Sequence, residues 1–106
     1  MNKHIKMKEL ESFFPCEPCM ELLRALADKT RQQIILLFIK NKELCVNDIA
    51  KEFSLSRPTI SHHLGLMKRA KLLNSRKEGK EIYHSINKKY ISETLSSILN
   101  SINCCC

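Results

Sequence analysis

Six of the 106 residues are cysteines, and they fall in three places. Cys16 and Cys19 lie in the run C-E-P-C, Cys45 stands alone, and Cys104, Cys105 and Cys106 close the chain. Thiolates are soft ligands and reactive nucleophiles, so such a set can take up a soft metal or metalloid or respond to an oxidant. In a secreted mini-protein six cysteines would point to disulfides. The N-terminal run MNKHIKMKELESFF, however, has neither a long apolar stretch nor a small-residue cleavage site. The expectation is therefore a cytoplasmic chain with reduced thiols that bind metal or react. No phosphate-cradling glycine loop and no nucleophile–base–acid set is present, so neither an enzyme nor an organic cofactor is expected. C-E-P-C also lacks the βαβ surroundings of a redox dithiol. His62 and His63 are adjacent, and neighbours on a helix point about 100° apart, which suits chelation of one ion poorly.

The elements that must carry these thiols follow from charge and periodicity. A formal net charge of +7, from 18 Lys and Arg against 11 Asp and Glu, favours nucleic acid or an acidic membrane as partner. No run of about 18 apolar residues exists to span a bilayer. Only 2 Gly and 3 Pro, with apolar residues at helical spacing, predict one mostly helical domain with a small β-hairpin. We divide the chain into an N-terminal arm over 1–19, a domain over 20–103 and a cysteine tail over 104–106. A first helix starts near Pro18, with Met20, Leu22, Leu23 and Leu26 as its apolar side. Asp28 caps a second helix that reaches about residue 40 and buries Ile34, Ile35, Leu37 and Phe38. A short helix over 47–53 follows Cys45, and Ser54 and Leu55 make a turn. Ser56 then caps a helix that runs to about residue 70. Ile60, Leu64 and Met67 share its buried side. Pro58, His62, Gly65 and Arg69 lie opposite, flanked by Thr59 and Ser61. Strands over 72–76 and 81–86 enclose a tip over 77–80, where Gly79 supplies a positive φ. Arg76, Lys77 and Lys80 put three cations on this ribbon, as phosphate contacts would require. A last helix over 88–103 carries the stripe Ile91, Leu95, Ile98, Leu99 and Ile102. In so small a chain this stripe, with the helix around residues 22–26, is expected to pair with a second copy.

Two short helices joined by a polar turn and followed by a charged hairpin suit a device that lays one helix in a DNA groove with a basic loop beside it. LLRALADKTRQQIILLF, ELCVNDIAKEFSLSRPTISHHLGLMKRAKLL and SRKEGKEIYHSI resemble, in order, the leading helices, helix-turn-helix and wing of the ArsR/SmtB metalloregulators. The resemblance covers roughly residues 20–88, and SRPTISHHL followed by SRKEGKEIYHSI is its specific part. It implies a dimeric winged helix-turn-helix repressor that binds operator double-stranded DNA and leaves it when an inducer binds. Carried over by position, Ser56, Arg57, Pro58, Thr59, Ser61 and His62 lie nearest the DNA, with Arg76, Lys77 and Lys80 at the phosphates.

The same resemblance implies where an inducer would bind. A common family site begins the helix-turn-helix in a motif of the form ELCVCD, and residues 43–48 read ELCVND. Cys45 matches the first cysteine, while Asn47 replaces the second and removes one thiolate. Family members complete the site with cysteines of the N-terminal arm, a part that Cys16 and Cys19 can play. Three thiolates suit As(III) and Sb(III), which form a three-sulfur pyramid. Pb(II) can do the same, and Cd(II) prefers a fourth ligand that Asn47 supplies poorly. The expected order is therefore As(III)/Sb(III), then Cd(II)/Pb(II). Some relatives sense arsenicals through cysteines in or after the last helix, so Cys104, Cys105 and Cys106 form a possible second thiol site. The family's zinc pair across the last helices needs Asp and His where this chain has Lys88, Lys89, Tyr90, Ser92 and Glu93. Two rival readings remain at this point: a redox or persulfide sensor on the same scaffold, and a thiol-rich metal buffer that does not bind DNA.

Overall fold

The computed structural model describes residues 17–104. Among these residues, five helices and one hairpin follow in order: α1 (Glu17–Leu26), α2 (Lys29–Lys40), α3 (Val46–Ala50), α4 (Arg57–Arg69), β1 (Leu73–Glu78), β2 (Glu81–Ile86) and α5 (Lys88–Cys104). Pro18 sits in the first turn of α1, where its missing N–H is not needed, so the helix begins inside the stretch expected to be an arm. α1 buries Cys19, Leu22 and Ala25 at a spacing of three and turns Leu23 outward, 42% exposed. The apolar side expected from Met20, Leu22, Leu23 and Leu26 is thus rotated, because the small Cys19 and Ala25 let α1 sit close to α5 and α2.

Asp28 caps α2 by accepting the Arg31 backbone N–H at 3.0 Å, and this bond is the main reason its carboxyl is held below its ordinary range. Ile34 and Phe38 face inward, whereas Leu36 and Ile39 are exposed. α3 is shorter than the expected 47–53. After Ala50 the Glu52 N–H turns back to the Ile49 carbonyl, three residues away, and the helix tightens into a turn. Ile49 still plugs the core, fully buried.

Ser56 caps α4, its hydroxyl accepting the Thr59 N–H at 3.3 Å, with Pro58 in the first turn. Ile60, Leu64 and Met67 are buried, as their spacing predicts. α4 ends with the Lys71 N–H on the Lys68 carbonyl and the Leu72 N–H on the Met67 carbonyl, both at 2.9 Å. This double closure needs a left-handed residue, and Lys71 supplies it at φ 65° where glycine is usual. Leu72 and Met67 both belong to the buried core beneath the turn.

The hairpin is longer than expected. Its register runs from Leu73 opposite Ile86 to Glu78 opposite Glu81, so Lys77 pairs with Ile82 inside the ladder. Gly79, at φ 62°, begins a two-residue turn, and two residues suffice where the expectation allowed four. Leu44 joins the hairpin's other edge: its N–H and carbonyl exchange bonds with His84 at 3.0 and 2.8 Å. Asn87 accepts the Tyr90 N–H and so opens α5. Leu22, Ile34, Ile49, Ile60, Leu64, Met67 and Leu72 form the centre of one core. α3 packs on α4, and α4 feeds directly into β1.

Candidate nucleic-acid interface and thiol site

One side of α4 is bare. Arg57, Pro58, Thr59, Ser61, His62, Gly65 and Arg69 are all exposed opposite the buried Ile60, Leu64 and Met67. A Cβ at Gly65 would meet nothing within 4 Å, so a surface can come close to the helix there. The hydroxyls of Ser56 and Thr59 bond each other at 2.9 Å and lock the first turn. His62 faces outward. His63 turns inward to Arg31 Nη1 at 3.4 Å and to the Asp28 carboxylate at 4.0 Å. Their ring centroids stand 6.1 Å apart and tilted, consistent with two separate environments.

The hairpin extends this side with Lys77 and Lys80, both exposed. Arg76 is differently placed. Its Nε and Nη2 donate to the two Glu43 oxygens at 2.7 and 2.9 Å, and its Nη1 donates to Glu78 at 2.7 Å. Its guanidinium also lies 5.0 Å from the Tyr83 ring centroid. Two carboxylates therefore hold the cation expected to meet phosphate. Glu43 is in turn held below its ordinary range, first by the Arg76 bond.

Arg76 thus ties the hairpin to the residues that lead into α3, where Cys45 is the N-cap. Cys45 is 5% exposed. Its backbone N–H and its thiol both donate to Asp48 Oδ2, at 3.1 and 3.2 Å. The backbone bond, then the thiol bond, hold the Asp48 carboxyl low. Tyr83 lies near enough that charge at Cys45 is the leading cause of its raised pKa, followed by burial and then by Asp48. Asn47, at the position where a second cysteine would stand, donates to Glu81 at 3.2 Å. The start of α3 is therefore fastened to the hairpin through Glu43–Arg76, Asn47–Glu81 and the Leu44–His84 bridge.

The other thiols are elsewhere. Cys19 is fully buried on the core side of α1, whose main partners are α2 and α5, whereas α3 packs on α4. Among the described residues no group of three or more His, Cys, Asp or Glu gathers to hold a metal. Cys16, Cys105 and Cys106 lie outside the described residues, and Cys104 is the last residue of α5. Asp48 was legible as a partner of Cys45 from its capping-box spacing of three. Glu43, Tyr83 and His84 carry no such local signal, because long-range pairing of the hairpin with itself and with Leu44 brings them to the site.

A helix pair whose second member is bare on one side, a two-stranded wing and a closing helix define a winged helix-turn-helix protein. No helix among the described residues is long and apolar enough to cross a membrane. Residues 28–75 match the description "Bacterial regulatory protein, arsR family". Over 82 residues the chain is 35% identical to the transcriptional repressor SdpR of Bacillus subtilis, covering 77% of this chain and 90% of that one. It is 37% identical over 73 residues to a Staphylococcus aureus homolog of the cadmium resistance transcriptional regulatory protein CadC, covering 69% and 60%. It is 40% identical over 68 residues to the arsenical resistance operon repressor of Escherichia coli, covering 64% and 58%. A solved ArsR family transcriptional regulator, RHA00566, shares the fold at a TM-score of 0.72 and 21% identity, covering 82% and 88%. The chain belongs to the ArsR family: it is a DNA-binding transcriptional regulator, not an enzyme.

Proposed function

We propose that this regulator is a homodimeric repressor that releases its operator on binding a thiophilic metalloid, As(III) or Sb(III), with Cys45 as the anchoring thiolate. The observation that carries this reading is the position of Cys45. It is a buried thiol at the first residue of the helix-turn-helix, fastened through its neighbours to the wing. On ligation by arsenite the Cys45 thiol proton would leave with one arsenite hydroxyl as water while the sulfur takes that hydroxyl's place, and the thiol bond to Asp48 would be lost, which loosens the cap of α3. Cys16 and Cys19 complete three sulfurs. Because α1 packs away from α3 and Cys19 is buried on its core side, the start of α1 has to leave the core for these thiols to reach Cys45, in the same chain or in a paired subunit. The exposed Leu95, Leu99 and Ile102 of α5 and Leu23 of α1 support that pairing. Cys104, Cys105 and Cys106 form a second thiol site at most. The protein works in the cytoplasm, where its thiols stay reduced.

DNA contact falls to Ser56, Arg57, Pro58, Thr59, Ser61 and His62 of the α4 region, with Lys77 and Lys80 on phosphates and Arg76 in a lesser part. A second reading, Cd(II) as inducer, is favoured by the Asp48 carboxylate 3.2 Å from the Cys45 thiol, an oxygen donor suited to a fourth ligand. It is also favoured by the cadmium resistance relative.

The test is fluorescence anisotropy of DNA from upstream of the protein's own gene, titrated with reduced protein and then with arsenite or Cd(II). Release by stoichiometric arsenite is expected. Release by Cd(II) alone would replace the first reading with the second. Release by an oxidant in metal-free buffer, with neither ion effective, would favour a redox sensor. Metal binding without DNA binding would leave a thiol buffer.

A further inference from the structure

Between α4 and the hairpin lies a cleft of about 310 Å³ that the thiol chemistry does not use and that the expected DNA contacts touch only at Ser61 and Lys80. His84 of β2 lines it. This side chain is only 7% exposed, and its Nδ1 is buried with no hydrogen-bond partner among the described residues. A buried polar atom without a partner costs free energy, so a group that fills the cleft has something to satisfy. The rim carries Lys68 of α4, Lys80 of the turn and the hydroxyl of Ser61, all exposed. Lys68 is close enough to His84 that its charge adds to burial in keeping the imidazole neutral. The acid on the rim, Glu81, is engaged by Asn47. At Gly65 the wall has no side chain.

Apart from the Glu81 carboxylate, whose Oε1 accepts from Asn47, the polar side chains here can donate: two ammonium groups, a hydroxyl and an imidazole N–H. That set suits a tetrahedral oxyanion. We infer that the cleft is a phosphate seat, in which Lys68, Lys80 and Ser61 take the oxygens and the His84 ring, turning its buried Nδ1 toward the cleft, donates to one of them from behind. A duplex laid against both α4 and the wing runs its backbone across the cleft mouth, so the phosphate is a phosphodiester of bound DNA. That source rests on the DNA-binding reading above. The alternative source of the same chemistry is a free phosphate-bearing ligand. His84 then gives the wing a contact that fixes its place on the duplex without reading sequence.

Two measurements on the whole protein test the seat. The first is the affinity of wild type, Lys68→Ala and His84→Gln for the operator and for a scrambled duplex, over a series of salt concentrations. Lys68→Ala should weaken both duplexes by the same factor and lower the slope of log affinity against log salt by about 0.9, the value for one phosphate contact. His84→Gln should weaken both about tenfold with the slope unchanged, since a neutral donor to a charged group is lost. The second is imidazole nitrogen NMR of wild type, with duplex and with inorganic phosphate added separately. The duplex should move the His84 Nδ1 signal. If inorganic phosphate moves it, Lys68→Ala abolishes that movement and the duplex slope does not change, the seat stands and the DNA source is overturned. If neither probe moves His84 and Lys68→Ala leaves the slope intact, the seat itself is overturned. Wild type that binds no duplex while phosphate still shifts His84 would sink the operator reading and leave the seat. Wild type and Lys68→Ala suffice for each of these outcomes, so the test holds even where His84→Gln fails to fold.

Discussion

Replacing the Cys45 sulfur with oxygen separates sensing from binding. In Cys45→Ser the hydroxyl keeps a donor toward Asp48 Oδ2, and the backbone N–H bond of the cap is untouched. The site is buried, so exchanging a thiol for a hydroxyl adds a desolvation cost of about 1–3 kcal/mol. The retained hydrogen bond offsets roughly 0.5–1.5 kcal/mol of it. The net expectation is a loss of about 1 kcal/mol, which lowers the melting temperature by about 4–8 °C in a domain of this size. Cys45 lies beneath the interface rather than on the bare side of α4, so DNA affinity should stay within about twofold of wild type, as for a substitution away from contacts. In wild type, saturating arsenite should weaken DNA binding about 5–150-fold, the usual range for coupled sites. In the variant it should change nothing. Thermal melts and anisotropy titrations, each with and without arsenite, read all three quantities. A variant that is folded, binds DNA and still releases it with arsenite as wild type does would refute Cys45 as the anchor. A variant that loses DNA binding outright would show that the start of α3 is structural rather than responsive.

Four further outcomes follow from the geometry. Lys77→Ala should lower the salt slope of DNA binding by about 0.9, whereas Arg76→Ala should lower it by less than half as much, because Glu43 and Glu78 already hold that guanidinium; equal slopes would contradict this. Leu99→Asp places a charge on a residue 58% exposed in the single chain, and light scattering should show a monomer that binds operator weakly; an unchanged mass would remove α5 from the dimer. Lys71→Gly should raise stability by roughly 0.5–1 kcal/mol by relieving a left-handed lysine, less a small share for the lysine's contact with the Tyr90 ring at 5.8 Å; a destabilised variant would show that this contact outweighs the strain. Burial, aided by Lys68, holds the folded His84 below the ordinary histidine value of 6.5 while the unfolded chain takes up a proton there. The unfolded state therefore binds more protons below that pH, and stability should be level above it and fall as pH drops through it. Denaturant titrations of wild type and His84→Gln should differ in this limb alone, and a rise in stability on acidification would contradict the assignment.

Local signals specified most of the elements. Asp28 and Ser56 cap helices because a short side-chain oxygen reaches the N–H three residues on, and this geometry is written in adjacent residues. The buried side of α4 follows from Ile60, Leu64 and Met67 at helical spacing, and its bare side follows by subtraction. Gly79 announces its own turn, although the length of the ladder depended on how few residues that turn needed. The rotation of α1 was not legible, since Cys19 and Leu23 are equally able to be buried and only packing against α5 and α2 chose between them. The candidate site divides along the same line. The residue types and spacing determined a thiol at the first residue of a helix-turn-helix, a basic hairpin and a family. Tertiary structure alone decided that Glu43 and Glu78 restrain Arg76, that Asn47 reaches Glu81 and that His84 lines a cleft with its Nδ1 buried and unbonded among the described residues. Most of these contacts join residues about thirty or more positions apart, brought together by the pairing of β1, β2 and Leu44, and no local spacing encodes which side chain meets which across such a pairing.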